Sequence, residues 1–185
     1  MFAQTMERKP KIILTGVPGV GKTTLVKSVL EQLKNFNCSG FITEEQRDKK
    51  GRAGFVLKTL DGREVPFASV GKGKGARVGR YIVDVDAFEN IALDVIAFHP
   101  EIQLYVIDEI GPMEVLSKQF CETAKMLLKN DKVTVLATAA KSGHGFIREV
   151  KRLPGLDTIE LTPTNKEQVL DQMLTLLSQA FTPNQ

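Results

Sequence analysis

The 185-residue chain has few of the features that mark secreted, membrane-bound or nucleic-acid-binding proteins. Its two cysteines, Cys38 and Cys121, are far apart and form no C-x-x-C pair, which suggests neither a disulfide framework nor a zinc site. Reduced thiols in a cytosolic protein are the expectation. No apolar run approaches the ~20 residues that cross a bilayer. The opening MFAQTMERKPK also has no apolar stretch of signal-peptide type, so residues 1–9 read as a frayed lead-in and the chain as cytoplasmic, with no membrane partner. Net charge is only +3, too mild by itself to argue a nucleic-acid or membrane partner, though no obstacle to a polyanionic small molecule. Basic and aromatic residues do not interleave, which makes nucleic acid an unlikely partner. Internal repeats, low-complexity tracts and linkers are absent. Residues 1–185 therefore read as one domain, large enough to bury one core, with a monomer expected.

What is present alternates strand and helix patterns. KIILTG is a short β-branched run, and Leu25, Val29, Leu33 and Phe36 then recur at helical spacing from Gly21 to Phe36. CSGFIT reads as the next strand. AGFVLKTL and REVPF flank Asp61-Gly62, a pair suited to a tight hairpin turn, so an antiparallel insertion or sheet edge is expected there. A basic, glycine-rich and mobile loop is expected over Gly71–Arg80, followed by a short YIVD strand. Asp86 and Glu89 suggest a capping box for a helix that ends near His99-Pro100. QLYVIDEIG, KVTVLATAA and DTIELT read as strands. Ser117–Lys129 and Gly145–Arg152 read as helices. A last helix is expected to open on a Thr164/Glu167 box and to present Val169, Leu170, Met173, Leu174 and Leu177 on one face. Continuous apolar strands alternating with amphipathic helices predict an α/β class, a mainly parallel sheet covered on both faces.

Directly after the first strand stands GVPGVGKT, Gly16–Thr23, which fits G-x-x-x-x-G-K-[ST] in full and lies between strand and helix as that motif requires. Gly16, Gly19 and Gly21 let the backbone turn and approach a ligand. The N–H groups over Gly16, Val17, Pro18, Gly19, Val20 and Gly21 then form a nest for phosphate, at a helix N-terminus that adds partial positive charge. Proline, as always, supplies no N–H to it. Lys22 reaches β- and γ-phosphates, Thr23 offers its hydroxyl to Mg²⁺, and Thr24 is a further contact at the α-phosphate. Near the carboxyl end of the LYVIDEIG strand stand Asp108 and Glu109. Ligands of open α/β sheets bind at that edge. Asp108 is the Mg²⁺ carboxylate, partly through water. Glu109 orients and polarises a water for attack on the γ-phosphate, or else is a surface acid that follows the aspartate.

Weaker signals surround this pair. Lys72, Lys74, Arg77 and Arg80 lie in the basic loop. One of them stabilises transition-state charge, with Arg77 and Arg80 preferred, or the loop is simply solvated. The loop also matches a loose G-x-G-x-x-A but joins no strand to a helix, so a dinucleotide site is rejected. Glu44 and Glu45 either face metal, water or ribose, or are solvated. Thr138 is placed to sense a γ-phosphate or is an ordinary strand threonine. Lys141 and His144 either reach phosphate from their loop or, by default, are exposed loop residues. NKEQ at residues 165–168 has Gln168 where a guanine-reading motif has aspartate, and gives no sign of guanine specificity.

GVPGVGKTTL, GFITEE, RVGRYIVD, VIDEIGPME and VTVLATA, in this order and spacing, resemble the THEP-type nucleoside-triphosphatases, a family that includes the human cancer-related nucleoside triphosphatase. The resemblance runs from about Lys11 to Val150. It implies a three-layer α/β/α P-loop fold. It also implies Mg²⁺-dependent hydrolysis of ATP, GTP, CTP and UTP to diphosphate and phosphate. Gly16–Thr23 would be the phosphate loop and Leu104–Gly111, with Asp108, Glu109 and Gly111, the second nucleotide-binding segment. Pro112 departs from the lysine of some relatives. Two other readings stay open: a nucleoside, nucleotide or polynucleotide kinase, and a nucleotide-binding switch with little turnover.

Overall fold

The computed structural model of the chain describes residues 8–48, 51–71 and 75–181, and of Asp48 and Arg52 the backbone alone. Lys72, Lys74 and residues 1–7 of the expected lead-in lie outside the described residues. In chain order the strands are β1 (Lys11–Gly16), β2 (Cys38–Asp48), β3 (Gly51–Thr59), β4 (Glu64–Val70), β5 (Ala76–Val78), β6 (Tyr81–Val83), β7 (Leu104–Ile110), β8 (Thr134–Ala140) and β9 (Asp157–Glu160). The helices are α1 (Lys22–Gln32), α2 (Val85–Ile96), α3 (Lys118–Lys129), α4 (Phe146–Val150) and α5 (Lys166–Phe181), with a 3₁₀ turn at Glu114–Leu116. These strands join one sheet in the order β5-β6-β4-β3-β2-β7-β8-β1-β9.

From β2 to β9 every neighbour is parallel, and from β3 to β5 every neighbour is antiparallel. Among the parallel strands β1, β7 and β8 carry the continuous apolar runs, and β1 is buried at every position. Their alternate residues feed two cores. Ile12, Leu14, Val106 and Leu136 pack under α1 and α5, through Leu25, Val26, Val29, Val169, Met173 and Leu177. Ile13, Phe41, Tyr105 and Ile107 pack on the other face with α2, α3 and α4, through Phe88, Ile96, Phe120, Leu128 and Ile147. Burying each such Leu, Ile or Phe contributes about 1.5–3 kcal/mol. The result is the three-layer α/β/α arrangement.

Several local boundaries differ from the sequence reading, each because of a tertiary partner. β2 runs on past Thr43 through the polar EEQRD because β3 pairs with it antiparallel over Phe41–Asp48, while β7 pairs with Cys38–Ile42 only. The Asp61-Gly62 turn closes β3 on β4, with Thr59 N–H donating to Arg63 O at 2.9 Å, as the hairpin expectation requires. Part of the expected mobile loop is strand: β5 pairs with β6 as an edge. Helix α2 is capped by Asp84, whose Oδ1 accepts from Ala87 N–H at 2.9 Å, and not by Asp86. Glu89 accepts instead from Ser117 Oγ at 2.5 Å, tying α2 to the cap of α3. α1 stops at Gln32 rather than Phe36, and Phe36 stacks on Phe181 of α5 with ring centroids 4.1 Å apart. The first helical bond of α5 runs from Val169 N–H to Asn165 O, and Thr164 Oγ1 lies against Thr162 Oγ1 instead of forming a box with Glu167.

Candidate active site

β1 ends at Gly16, and the chain rises through Val17, Pro18 and Gly19 as an exposed crest before Val20 anchors it in the core. Gly19 and Gly21 have φ of 77° and 109°, a region where a side chain is strained. A Cβ on Gly16 would stand 2.8 Å from Leu161 O, so the neighbouring segment presses directly on the loop. Gly21 caps α1 without any side-chain hydrogen bond, leaving the first-turn amides and the positive end of the helix for a ligand. Thr24, in that first turn, is exposed.

Lys22 is buried, at 6% exposure. Its Nζ donates to Gly16 O at 3.3 Å and lies 3.8 Å from Glu109 Oε2. The lysine therefore spans from the loop to the end of β7. β8 lies between β1 and β7 and supplies the link: Thr138 pairs with Leu14 on one side, and its hydroxyl donates to Asp108 Oδ1 at 2.5 Å on the other. Thr138 is fully buried and holds the aspartate, which adds a support role to the two readings, γ-phosphate sensor or strand threonine, that its position offered.

Asp108 is buried completely and its carboxyl is pushed up to about 6 by desolvation, with Glu109 adding in the same direction. Hydrogen bonding to the Thr138 and Thr23 hydroxyls and the nearby Lys22 charge oppose that shift. Oδ2 meets no hydrogen-bond partner by geometry, although the Thr23 hydroxyl is close enough to act on the group's acidity. A buried carboxylate oxygen without a partner, beside a threonine hydroxyl, fits a hard cation that takes oxygen ligands. Among the described residues no three His, Cys, Asp or Glu side chains cluster as a metal cage. Mg²⁺ needs none, since substrate phosphates and water complete its shell.

Glu109 points into a different environment and keeps 28% of its side chain exposed. Close by is an acid to which the sequence reading gave no role. Glu114, at 5% exposure, places Oε2 at 2.9 Å from the point where a Cβ on Gly111 would lie, and Glu109 Oε1 is 3.4 Å from that same point. Gly111 is thus the gap through which the two carboxyl groups approach. Desolvation pushes the Glu114 carboxyl up to about 8, and the charges of Glu109 and Asp108 add to it. At neutral pH Glu114 is therefore chiefly protonated and adds no second negative charge beside Glu109. Only its place in the VIDEIGPME segment hinted at it.

Other expected residues lie elsewhere. Arg77 is exposed on β5, the first strand of the sheet, while β1 is the eighth. Seven strand spacings amount to roughly 30 Å measured along a sheet. Arg80 is exposed in the β5–β6 turn, with its guanidinium 5.3 Å from the Tyr81 ring centroid. The structure does not bring either arginine to the phosphate loop. Glu44 is paired with Lys27 and with Lys58, the latter at 3.1 Å, and Glu45 with Arg47 at 3.3 Å. Lys141 pairs with Glu160 at 2.6 Å, and His144 is exposed.

Comparison with known proteins agrees with this fold. A family model described as NTPase matches residues 11–174, further along the chain than the resemblance read by eye. The nucleoside-triphosphatase THEP1 of Aquifex aeolicus is 40% identical over 176 residues, spanning 90% of this chain and 98% of that protein. The crystal structure of THEP1 from Aquifex aeolicus superposes with a TM-score of 0.81 at 39% identity, covering 90% of this chain and 98% of that one. The solution structure of a human cancer-related nucleoside triphosphatase gives 0.79 at 31% identity, covering 95% and 100%. The chain belongs to the NTPase family, alongside the THEP1 nucleoside-triphosphatases.

Proposed function

We propose that the chain hydrolyses nucleoside triphosphates to diphosphate and phosphate, with Mg²⁺ and with little preference among ATP, GTP, CTP and UTP. The observation that carries the reading is the convergence of Lys22, Asp108 and Glu109 at one mouth of the sheet, with Lys22 Nζ 3.8 Å from Glu109 Oε2. Phosphoryl transfer asks a protein for positioning and charge stabilisation, and each of these groups supplies one. The loop amides and Lys22 bind the β- and γ-phosphates. Thr23 and Asp108 would hold Mg²⁺, whose charge neutralises phosphate oxygens when bound. Glu109, the half-open acid of the pair, accepts a proton from the attacking water as its oxygen bonds to the γ-phosphorus and the β–γ bridging bond breaks. The named activity of the Aquifex aeolicus relative supports the hydrolytic outcome.

Phosphate release across the four triphosphates, with and without Mg²⁺, tests the reading. Release is expected with every base, to depend on Mg²⁺, and to vanish in Lys22→Ala. Transfer of label to a nucleoside, nucleotide or polynucleotide acceptor in place of free phosphate would point to a kinase, and nucleotide binding without turnover to a switch.

A further inference from the structure

The phosphate loop has a second neighbour, on the side away from the carboxylates. Leu161, directly after β9, donates its N–H to Thr15 O at 2.7 Å, and its own oxygen presses on Gly16. Asn165 fixes the turn that follows: Oδ1 accepts from Thr162 N–H at 2.7 Å and Nδ2 donates to Glu160 O at 2.9 Å. This rigid segment delivers Lys166 over the loop. Its Nζ lies 3.6 Å, and its Cε 3.9 Å, from where a Cβ on Gly21 would stand.

Electrostatically this is an unfavourable place for a cation. Lys166, which is exposed to solvent, is the first residue of α5, and Gly21 caps α1, so the ammonium sits near the positive ends of two helices. Among the described residues no carboxylate pairs with it. A local conflict of this kind is relieved by an anion held between the two helix ends.

The direction of the ligand follows from the strand order. Asp108 and Glu109 are on β7, two strands from β1 on the β8 side, whereas β9 flanks β1 on the other. A triphosphate whose terminal group faces Glu109 leaves the loop toward β9 and α5.

We propose that Lys166 is a second nucleotide-binding cation, which grips the α- and β-phosphates at the nucleoside end and does not touch the γ-phosphate. The inference rests on the nucleoside-triphosphate reading above. The base is not read at this point: the Asn165 amide is spent on backbone groups at both ends, and Gln168 is exposed.

Calorimetric Kd values for ADP, GDP, CDP, UDP and a non-hydrolysable ATP analogue, all with Mg²⁺, decide the matter. Lys166→Met is expected to weaken the diphosphates and the analogue by one common factor of about ten, the scale of a lost charge-assisted hydrogen bond. The factor is expected to be the same for each base, and Lys166→Arg to recover most of it. Unchanged Kd values overturn the proposal. So does weakening of the triphosphate analogue alone, which would place the contact at the γ-phosphate, or a loss confined to one base. A wild-type chain that binds diphosphates but releases no phosphate removes the hydrolysis reading while the same Kd series still decides the role of Lys166.

Discussion

The two halves of the sheet differ in covering and in chemistry. From β2 to β9 the strands are parallel and sandwiched, with α1 and α5 on one face and α2, α3 and α4 on the other. From β3 to β5 they are antiparallel, and Leu57, Phe67, Tyr81 and Val83 join the core on the α2 side. In the parallel half the ends of β1, β7 and β8 are desolvated where they meet. That is where Lys22, Asp108 and Thr138 are buried. Where the antiparallel half joins β2 the charges are partly in water: Glu44 of β2, Lys58 and Glu64 form a surface chain of ion pairs, of a kind worth little individually. The cations differ in the same way: Lys22 loses its water beside the end of β1, whereas Arg77 and Arg80 stay exposed at the β5–β6 edge.

The strongest test of this contrast is at the join between halves. Phe88 of α2 meets Phe41 of β2, Phe67 of β4 and Phe120 of α3, with ring centroids 5.7, 5.4 and 5.2 Å away. Phe88→Ala is expected to cost about 3–5 kcal/mol in urea unfolding, as large-to-small core substitutions do. The transition should stay single if the halves share one core. Two separated transitions in the wild-type chain would break the comparison by making them independent.

A comparable effect is expected on turnover. Glu109→Gln should lower kcat by about 10²–10³-fold, the scale of a lost general base, while nucleotide Kd changes little. Undiminished phosphate release would remove Glu109 from the chemistry.

Smaller, and dependent on pH, is the effect of the buried acid. Glu114 in the folded chain is pushed up to about 8 from the ordinary 4.5. Between those values the folded state holds a proton that the unfolded state has released, so stability is full below the lower value and declines as pH rises toward the upper one. Asp108 contributes in the same sense up to about 6. Glu114→Gln should therefore gain about 1–3 kcal/mol relative to wild type between pH 5 and pH 8.5, without added nucleotide or metal. A wild-type stability that does not fall over that range would contradict the assignment.

The smallest change is expected in the antiparallel half. Arg77→Ala and Arg80→Ala should alter kcat by less than about twofold, because exposed residues far from a reacting group contribute little transition-state stabilisation. A tenfold loss in either would mean that this edge folds over the phosphate loop during turnover, and would erase the division drawn here.

What could be read in advance follows the range of the interactions concerned. GVPGVGKT was legible because a phosphate nest is made by consecutive residues, and their conformational needs are written locally. LYVIDEIG was legible because a buried parallel strand demands an unbroken apolar run, which makes the acids that follow it conspicuous. The cap of α2 was misplaced by two residues: Asp86 has an acid three residues on, as a capping box requires, but Glu89 is taken by Ser117 and the cap falls to Asp84. The polar tail of β2 was missed because nothing in TEEQRD favours a strand until β3 lies beside it.

By itself, then, the amino-acid order determined the strand–loop–helix unit, the lysine and threonine that follow the glycines, and the two adjacent acids. Short-range stereochemistry and apolar periodicity are enough for those. Tertiary structure alone decided that Thr138 serves Asp108, that Glu114 comes up behind Gly111 as a neutral acid, and that Lys166 crosses to Gly21 while Arg77 and Arg80 stay at the far edge. Those outcomes depend on strand order and on which groups lose their water, and both arise only when segments distant in the chain are packed together.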